Sequence, residues 1–215
     1  IVACDALVAW TSQLLDAGYR GELECVTAKV VASEMLKEAT LDLLLKTYAS
    51  RAFLPGNLFS DALHDFVAPT VYEGENEILT LGFLSTLVKA RLPLLGSPPP
   101  RERLSASAAS LDLDELTDVA LEILMVSGQE VDAAVMTHGP LLAERQAEAI
   151  ELAQRIQSAA VMLTVLRYGQ RQQDPLIRDA ALSMASEIGL RLSGNRPTAQ
   201  HHQLTTALGR AMADG

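Results

Sequence analysis

Residues 22–49 read ELECVTAKVVASEMLKEATLDLLLKTYA, the longest stretch of the chain with helical periodicity. No proline or glycine interrupts it, and apolar side chains recur at the spacing of one helix face. These side chains are Leu23, Val26, Val30, Met35, Leu36, Leu41, Leu44 and Leu45. Alanine and leucine, both strong helix formers, dominate the whole chain, and no strand-like alternation stands out. The sequence therefore predicts a long helix here within an all-α fold.

Further helices are predicted on both sides of this stretch, and each has a turn or capping residue at one end. Gly18 ends the first helix, Asn57 caps a short one, Asp112 or Asp114 starts a later one, and Pro175 starts another. The predicted helices cover residues 1–17, 22–49, 58–66, 75–92, 112–127, 140–168, 175–192 and 198–213. The helix from residue 112 has an alternative end near residue 137.

A segment rich in proline and serine divides the chain into two predicted parts. Residues 93–110 have no periodicity, and proline-rich segments of this kind are stiff and extended. We expect a helical domain over residues 1–92, a linker over residues 93–110 and a second small helical bundle over residues 111–215. Since the chain opens with Ile-Val-Ala-Cys, without Met or a helix cap, we expect it to begin inside a helix of a longer protein.

Composition and charge argue against several classes of partner. The 215 residues are 49% hydrophobic, enough for a sizeable core, and carry a net charge of −10 without a basic stripe. This acidity argues against nucleic acid and against an anionic membrane surface. No uncharged apolar run reaches the ~18 residues of a membrane span. Cys4 and Cys25 are interpreted as reduced thiols, and without a secretory signal a cytoplasmic protein is expected.

One carboxylate stands out in residues 71–79, which read VYEGENEIL. Glu73 lies between Tyr72 and Gly74, directly before a predicted amphipathic helix. A carboxylate in a loop can act as a general base if dry surroundings raise its pKa toward neutrality. The alternative is a solvated charge that the helix dipole favours, and this alternative also applies to Glu75 and Glu77 at the helix start.

Two motifs together resemble a known family. The segment VYEGENEIL is similar to the active-site sequence Ile-Tyr-Glu-Gly-Thr-Asn-Glu-Ile of the acyl-CoA dehydrogenases. Upstream, residues 28–34 read AKVVASE and resemble the family motif Ala-Lys-x-x-Ala-Ser-Glu. The resemblance covers about residues 5–92 and identifies them with the family's C-terminal helical domain. Residues 111–215 resemble the extra helical domain of long-chain members through the stretch from Pro197 to His201.

The resemblance implies a function and a set of site residues. Glu73 would be the base that removes an α-proton from an acyl thioester, carried by CoA or an acyl-carrier protein. Gly74 would leave room for this substrate, and Tyr72 would exclude water from it. FAD would be the cofactor, bound mainly by parts absent from this chain, with Glu75 and Glu77 near it. An electron-transfer flavoprotein or similar acceptor and a homo-oligomer are also implied.

The sequence departs from the family pattern at several positions. Where the family has a glycine-rich segment that approaches the flavin, residues 46–52 read KTYASRA. His64-Asp65 replaces an Arg-Asp pair, and Glu75 replaces a threonine. The family's N-terminal helical domain and middle β-domain have no counterpart, so we expect no activity from this chain alone. The alternative function is a catalytically idle helical domain for assembly or partner docking.

Other chemical patterns in the sequence favour ordinary structural roles. Asp61, His64 and Asp65 could form a metal or base site, but a solvated helix face is the simpler interpretation. The pair His201-His202 lacks the i, i+4 spacing of a zinc site, so no metal is predicted. No glycine-rich phosphate loop and no nucleophilic triad pattern is present.

Overall fold

A computed structural model describes residues 1–90 and 111–214 of the chain. Every regular element in these ranges is helical, which confirms the predicted all-α fold. The α-helices are α1 (Val2–Asp16), α2 (Glu22–Glu38), α3 (Leu45–Tyr48), α4 (Leu58–Val67), α5 (Asn76–Ala90), α6 (Leu113–His138), α7 (Gln146–Arg171), α8 (Pro175–Ser193) and α9 (Ala199–Asp214). None of the described helices combines the length and apolar character needed to span a membrane.

Capping side chains begin three of the helices at the predicted places. The Asn57 carboxamide oxygen accepts the backbone N–H two residues on, at 2.9 Å. The Asp112 carboxylate accepts two N–H groups of the first turn of α6, at 2.9 and 3.0 Å. The Asp174 carboxylate accepts one N–H of α8 at 2.8 Å. Gly18 follows α1 with a φ of +86°, the left-handed conformation that commonly ends helices.

The long helix predicted over residues 22–49 forms, but not as a continuous α-helix. After α2 the backbone widens into a π-helical segment, Ala39–Leu44, returns to α-helix in α3, and tightens into a 3-10 segment, Ala49–Phe53. At the start of the π segment the Thr40 hydroxyl donates to the Leu36 carbonyl at 2.7 Å. Such a bond competes with the backbone ladder and helps a helix change its winding.

Two other helix bounds differ from those predicted. Helix α6 runs to His138, which confirms the longer of the two alternatives. Helix α7 starts at Gln146 rather than near residue 140, because the residues after α6 form a separate 3-10 segment, Gly139–Glu144. Pro140 lies at the start of that segment, where its missing N–H costs nothing.

The hydrophobic core joins helices from both sides of residues 91–110. In the first cluster, Leu7 and two alanines of α1 pack against buried side chains of α6, α7 and α8. In the second, the α5 residues Phe83, Leu84 and Leu87 pack against α6 and α7. Helix α7 packs along both α6 and α8, and α9 packs on α8. The described helices of the two predicted domains are therefore in direct contact.

The predicted linker over residues 93–110 and the predicted end of a helix at residue 92 lie outside the described residues. The division into domains at residues 92 and 111 therefore stays a prediction about the sequence. Where the chain is described, helices from residues 1–90 and from residues 111–214 pack against each other in the shared core.

Candidate functional site

The loop that carries Glu73 has an unusual backbone conformation. It runs from the 3-10 segment Ala68–Thr70 to the start of α5. Glu73 has a φ of +58° and Gly74 a φ of +109°, so two successive residues are left-handed. A positive φ is uncommon for any residue except glycine, and such strain persists only where surrounding contacts impose it. The loop must therefore be held from outside.

Lys29 of α2 provides one of these contacts. Its ammonium group donates to the Gly74 carbonyl at 2.5 Å and to the Asn76 carboxamide oxygen at 2.8 Å. These hydrogen bonds tie the loop and the first residue of α5 to a helix more than forty positions away in sequence. The first of them also gives a partner to the carbonyl of Gly74, the residue that follows Glu73.

Asn76 is the centre of this network and is only 4% exposed. Its amide nitrogen donates to the Ser33 hydroxyl at 3.0 Å and to the Glu34 carboxylate at 2.7 Å. The two sequence motifs, residues 28–34 and 71–79, are therefore joined by hydrogen bonds. We define these four side chains, Lys29, Ser33, Glu34 and Asn76, as the loop-holding network.

Glu34 remains an ionised acceptor in this network. Burial raises the pKa of Glu34, but hydrogen bonds from Lys37 and Asn76 lower it more, so its pKa lies below the ordinary value. Lys37 also forms a close ion pair with the same carboxylate. At neutral pH the Glu34 oxygens are thus charged hydrogen-bond acceptors, which are stronger than neutral ones.

The predicted catalytic and substrate-binding residues lie together on the loop, but they are open to solvent. Glu73 is exposed, and the Tyr72 side chain is 70% exposed. The dry surroundings expected for a base are therefore not formed by the described residues. A Cβ atom on Gly74 would lie 2.9 Å from a methyl group of Leu79, and the φ of +109° also disfavours a side chain at this position.

The two residues assigned to the cofactor do not fit FAD. Glu75 caps α5, because its carboxylate accepts the Ile78 N–H at 3.0 Å. Hydrogen bonds from the backbone N–H of Glu77 and then Ile78 lower the pKa of Glu75, which is therefore an anion. Glu77 is exposed and carries a second negative charge. This helix start is thus already capped and acidic, and it does not suit a diphosphate.

One residue of the segment 46–52 has a backbone conformation that suits glycine. Ala49 has a φ of +50° and a ψ of −135°, a backbone conformation that glycine adopts without strain. Lys46 is exposed and lies 3.5 Å from Asp42 one helical turn earlier. The backbone therefore turns here as a glycine would allow, while the side chain is that of alanine.

The remaining polar candidates do not add to this site. Asp61, His64 and Asp65 of α4 are all exposed, in keeping with a solvated helix face. His201 is buried in the contact between α9 and α8, and its Nδ1 lies 2.7 Å from the Thr198 hydroxyl.

The sequence predicts Glu73 as a site residue, but it gives no role to the residues that hold its loop. Lys29, Ser33 and Glu34 stood inside the motif AKVVASE without a role, and Asn76 stood inside VYEGENEIL. The i, i+4 spacing of Lys29 and Ser33 was the available signal, because it places both side chains on one face of α2. Which residue they meet depends on tertiary packing.

Comparison with known proteins supports a relationship at the level of the fold. The structure is similar to a crystal structure of an acyl-CoA dehydrogenase from Bacillus anthracis in complex with FAD, with a TM-score of 0.59 at 16% sequence identity. The similarity covers 87% of this chain and 35% of that one, so the chain spans about a third of that protein's length. No family model matches the sequence, and no curated protein matches it. The chain thus has a fold related to part of an acyl-CoA dehydrogenase.

Proposed function

We propose that this chain is the C-terminal part of a flavin-dependent acyl-CoA dehydrogenase. In this proposal the enzyme forms an α,β-double bond in an acyl thioester, and the Glu73 carboxylate removes the α-proton. The observation that carries the proposal is the loop-holding network, which keeps Glu73 in a left-handed conformation at a defined place between α2 and α5.

The cost of this conformation supports a functional role for Glu73. A left-handed non-glycine residue costs on the order of 1–3 kcal/mol, and such residues concentrate at functional sites. Glycine at position 73 would remove this cost, whereas glutamate adds a carboxylate at the tip of a fixed loop. A base must be held within ~3 Å of the proton that it removes, and rigid support from the loop-holding network serves that requirement.

The solvent exposure of Glu73 is consistent with a site completed by other parts of a longer protein. A carboxylate in water keeps too low a pKa to remove an α-proton efficiently, so a covering surface is needed. Tyr72 and Val71, 70% and 59% exposed, would lie beneath that surface and exclude water.

The cofactor and partners belong to the proposal as well. FAD is proposed as the electron acceptor, held by residues outside this chain, because Glu75 and Glu77 do not fit it. The substrate is an acyl-CoA or acyl-carrier thioester. An electron-transfer flavoprotein or similar acceptor would reoxidise the enzyme, and homo-oligomers are expected.

The test is the absorbance spectrum of the full-length protein that contains this chain, purified with FAD. Acyl-CoA thioesters of increasing chain length are added without oxygen. We expect one of them to bleach the flavin band, and we expect Glu73→Gln to slow this bleaching about 10²–10⁴-fold while the bound flavin remains. The matched control is Glu77→Gln, which removes an exposed carboxylate of the same helix start and should leave the rate unchanged.

Two results would contradict the proposal in different ways. Bleaching at the native rate in Glu73→Gln would show that another group is the base. A full-length protein that never binds FAD but still forms oligomers would favour the alternative, a catalytically idle assembly domain. Residues 46–52 contain no glycine, and this departure from the family pattern is the reason to test the alternative.

A further inference from the structure

An apolar groove lies between α5 and the 3-10 segment Gly139–Glu144, on elements other than the Glu73 loop. Its volume is about 430 Å³, within the range of small-molecule sites in proteins. The apolar part of its lining comes from side chains of α5, α6, the 3-10 segment and α7. These are Leu81, Leu84, Val88, Val135, Leu142 and Ala149.

The polar groups of the groove are few and lie on one helix. Ser85 and Lys89 both line it and are exposed. Because they are four residues apart on α5, they share one helix face. Lys89 is the one charged residue of the lining, and among the described residues it has no ion-pair partner. In a chain with a net charge of −10, the lining of this apolar groove, where the structure describes it, thus has one positive charge and no negative one.

We propose that this groove binds the aliphatic chain of a single-chain anionic amphiphile, of which a medium-chain fatty acid is the model. The hydrocarbon lies along the leucines and valines, and the carboxylate meets the Lys89 ammonium and the Ser85 hydroxyl. Apolar burial supplies most of the affinity, and the lysine selects for negative charge. This proposal does not rest on the proposed dehydrogenase function, since no residue of the groove belongs to the Glu73 loop.

Gly82 offers a way to fill the groove without disturbing the fold. It lies in the lining, inside α5, and a Cβ atom added there would meet nothing within 4 Å. A leucine at this position therefore enters open space, and leucine also favours a helix more than glycine does. Gly209 in α9 is an equally open helical glycine far from the groove in sequence, so Gly209→Leu is the matched control.

The experiment is calorimetric titration of the chain with three probes of equal tail length, each below its micelle concentration. These are decanoate, decanol and decyltrimethylammonium. We expect decanoate to bind most tightly and the cation least. We expect Gly82→Leu to weaken decanoate binding about tenfold or more and Gly209→Leu to leave it unchanged. Lys89→Met should weaken decanoate about threefold without affecting decanol.

Several outcomes would overturn the proposal. Decanoate binding that survives Gly82→Leu would show that the groove is not the binding site. Equal binding of all three probes would show that the groove does not select anions. A native chain that binds no probe would contradict it directly. If the chain forms dimers that Gly82→Leu dissociates, as seen by sedimentation, the groove is a surface for a second copy instead. Circular dichroism of each variant verifies that its helices are intact.

Discussion

Ala49 has a backbone conformation that suits glycine, and this strain can be measured. Its φ of +50° and ψ of −135° lie where a Cβ atom clashes with the backbone. We expect Ala49→Gly to stabilise the protein by about 1 kcal/mol, since relief of strain exceeds the entropy that glycine adds to the unfolded chain. Thermal unfolding should show a rise in Tm of about 2–4 °C.

The control for Ala49→Gly is the same change in a normal helix. Ala207 is exposed within α9, and Ala207→Gly should lower stability by about 1 kcal/mol because glycine is a poor helix former. If both variants are destabilised equally, the backbone at residue 49 is not strained.

His201 couples stability to pH. Burial, and then the charge of His202, lower the pKa of His201 below its ordinary 6.5. The unfolded chain therefore binds a proton at a higher pH than the folded chain does. The stability linked to this group is fully present above pH 6.5 and is lost as the pH falls toward the folded-state pKa.

Urea denaturation at several pH values between about 7.5 and about 5 measures how the free energy of unfolding depends on pH. Histidine side chains titrate in this range. We expect His201→Gln to lose stability less steeply on acidification than the native chain does. His202→Gln should keep most of the native slope, because His202 is exposed. Parallel slopes for the native chain and His201→Gln would mean that His201 does not titrate differently in the folded state.

At the scale of elements, Gly169 in α7 allows a close approach to α8. A Cβ atom at this position would lie 2.7 Å from the Cβ atom of Ala181. We therefore expect Gly169→Ala to destabilise the protein by about 1–3 kcal/mol, although alanine is the better helix former. Equilibrium unfolding measures the difference, with Gly209→Ala as the control that should be stabilised by up to about 1 kcal/mol. A Gly169→Ala variant as stable as the native chain would show that α7 and α8 can separate at no cost.

The helices were largely predictable from the sequence, and their winding was not. Asn57 and Asp112 correctly predicted helix starts, because a capping hydrogen bond depends only on a few adjacent residues. Periodicity does not distinguish an α-helix from a π-helix over the six residues of Ala39–Leu44, since both place apolar side chains at similar intervals.

The sequence proposes a candidate site at Glu73, but it does not predict which residues hold the loop that carries Glu73. The sequence pointed to Glu73, whereas the burial of Asn76 follows from how α5 packs on α2. Glu75 is predicted to lie near the cofactor, whereas the structure shows its carboxylate as the cap of its own helix. Side-chain networks between distant helices are tertiary features, and one sequence does not specify them.

For the whole molecule, the shared core predicts that the chain unfolds as one unit. Leu7 of α1 is 1% exposed and packs in the cluster built with α6, α7 and α8. We expect Leu7→Ala to cost about 2–5 kcal/mol and to shift the entire transition. Far-ultraviolet circular dichroism reports on all helices, and the fluorescence of the single tryptophan, Trp10, reports on α1. The two signals should change together in urea.

Separate transitions would have a different meaning. If circular dichroism showed two steps and Leu7→Ala moved only one of them, residues 1–92 and 111–215 would be independent domains, as the proline-rich segment suggests. Val8→Ala changes an exposed position of α1 and is the control. The free energy of unfolding obtained from either signal should stay within about 0.5 kcal/mol of that of the native chain.

The loop-holding network also limits how the Glu73 loop can be moved to another protein. The loop's neighbours in sequence do not impose its shape, since Lys29 and Ser33 lie more than forty positions earlier. A peptide that contains only residues 70–80 lacks these partners, so nothing in it offsets a left-handed Glu73. Grafting this turn onto a new scaffold therefore means transplanting one face of α2 with it, as a pair of segments rather than a single motif.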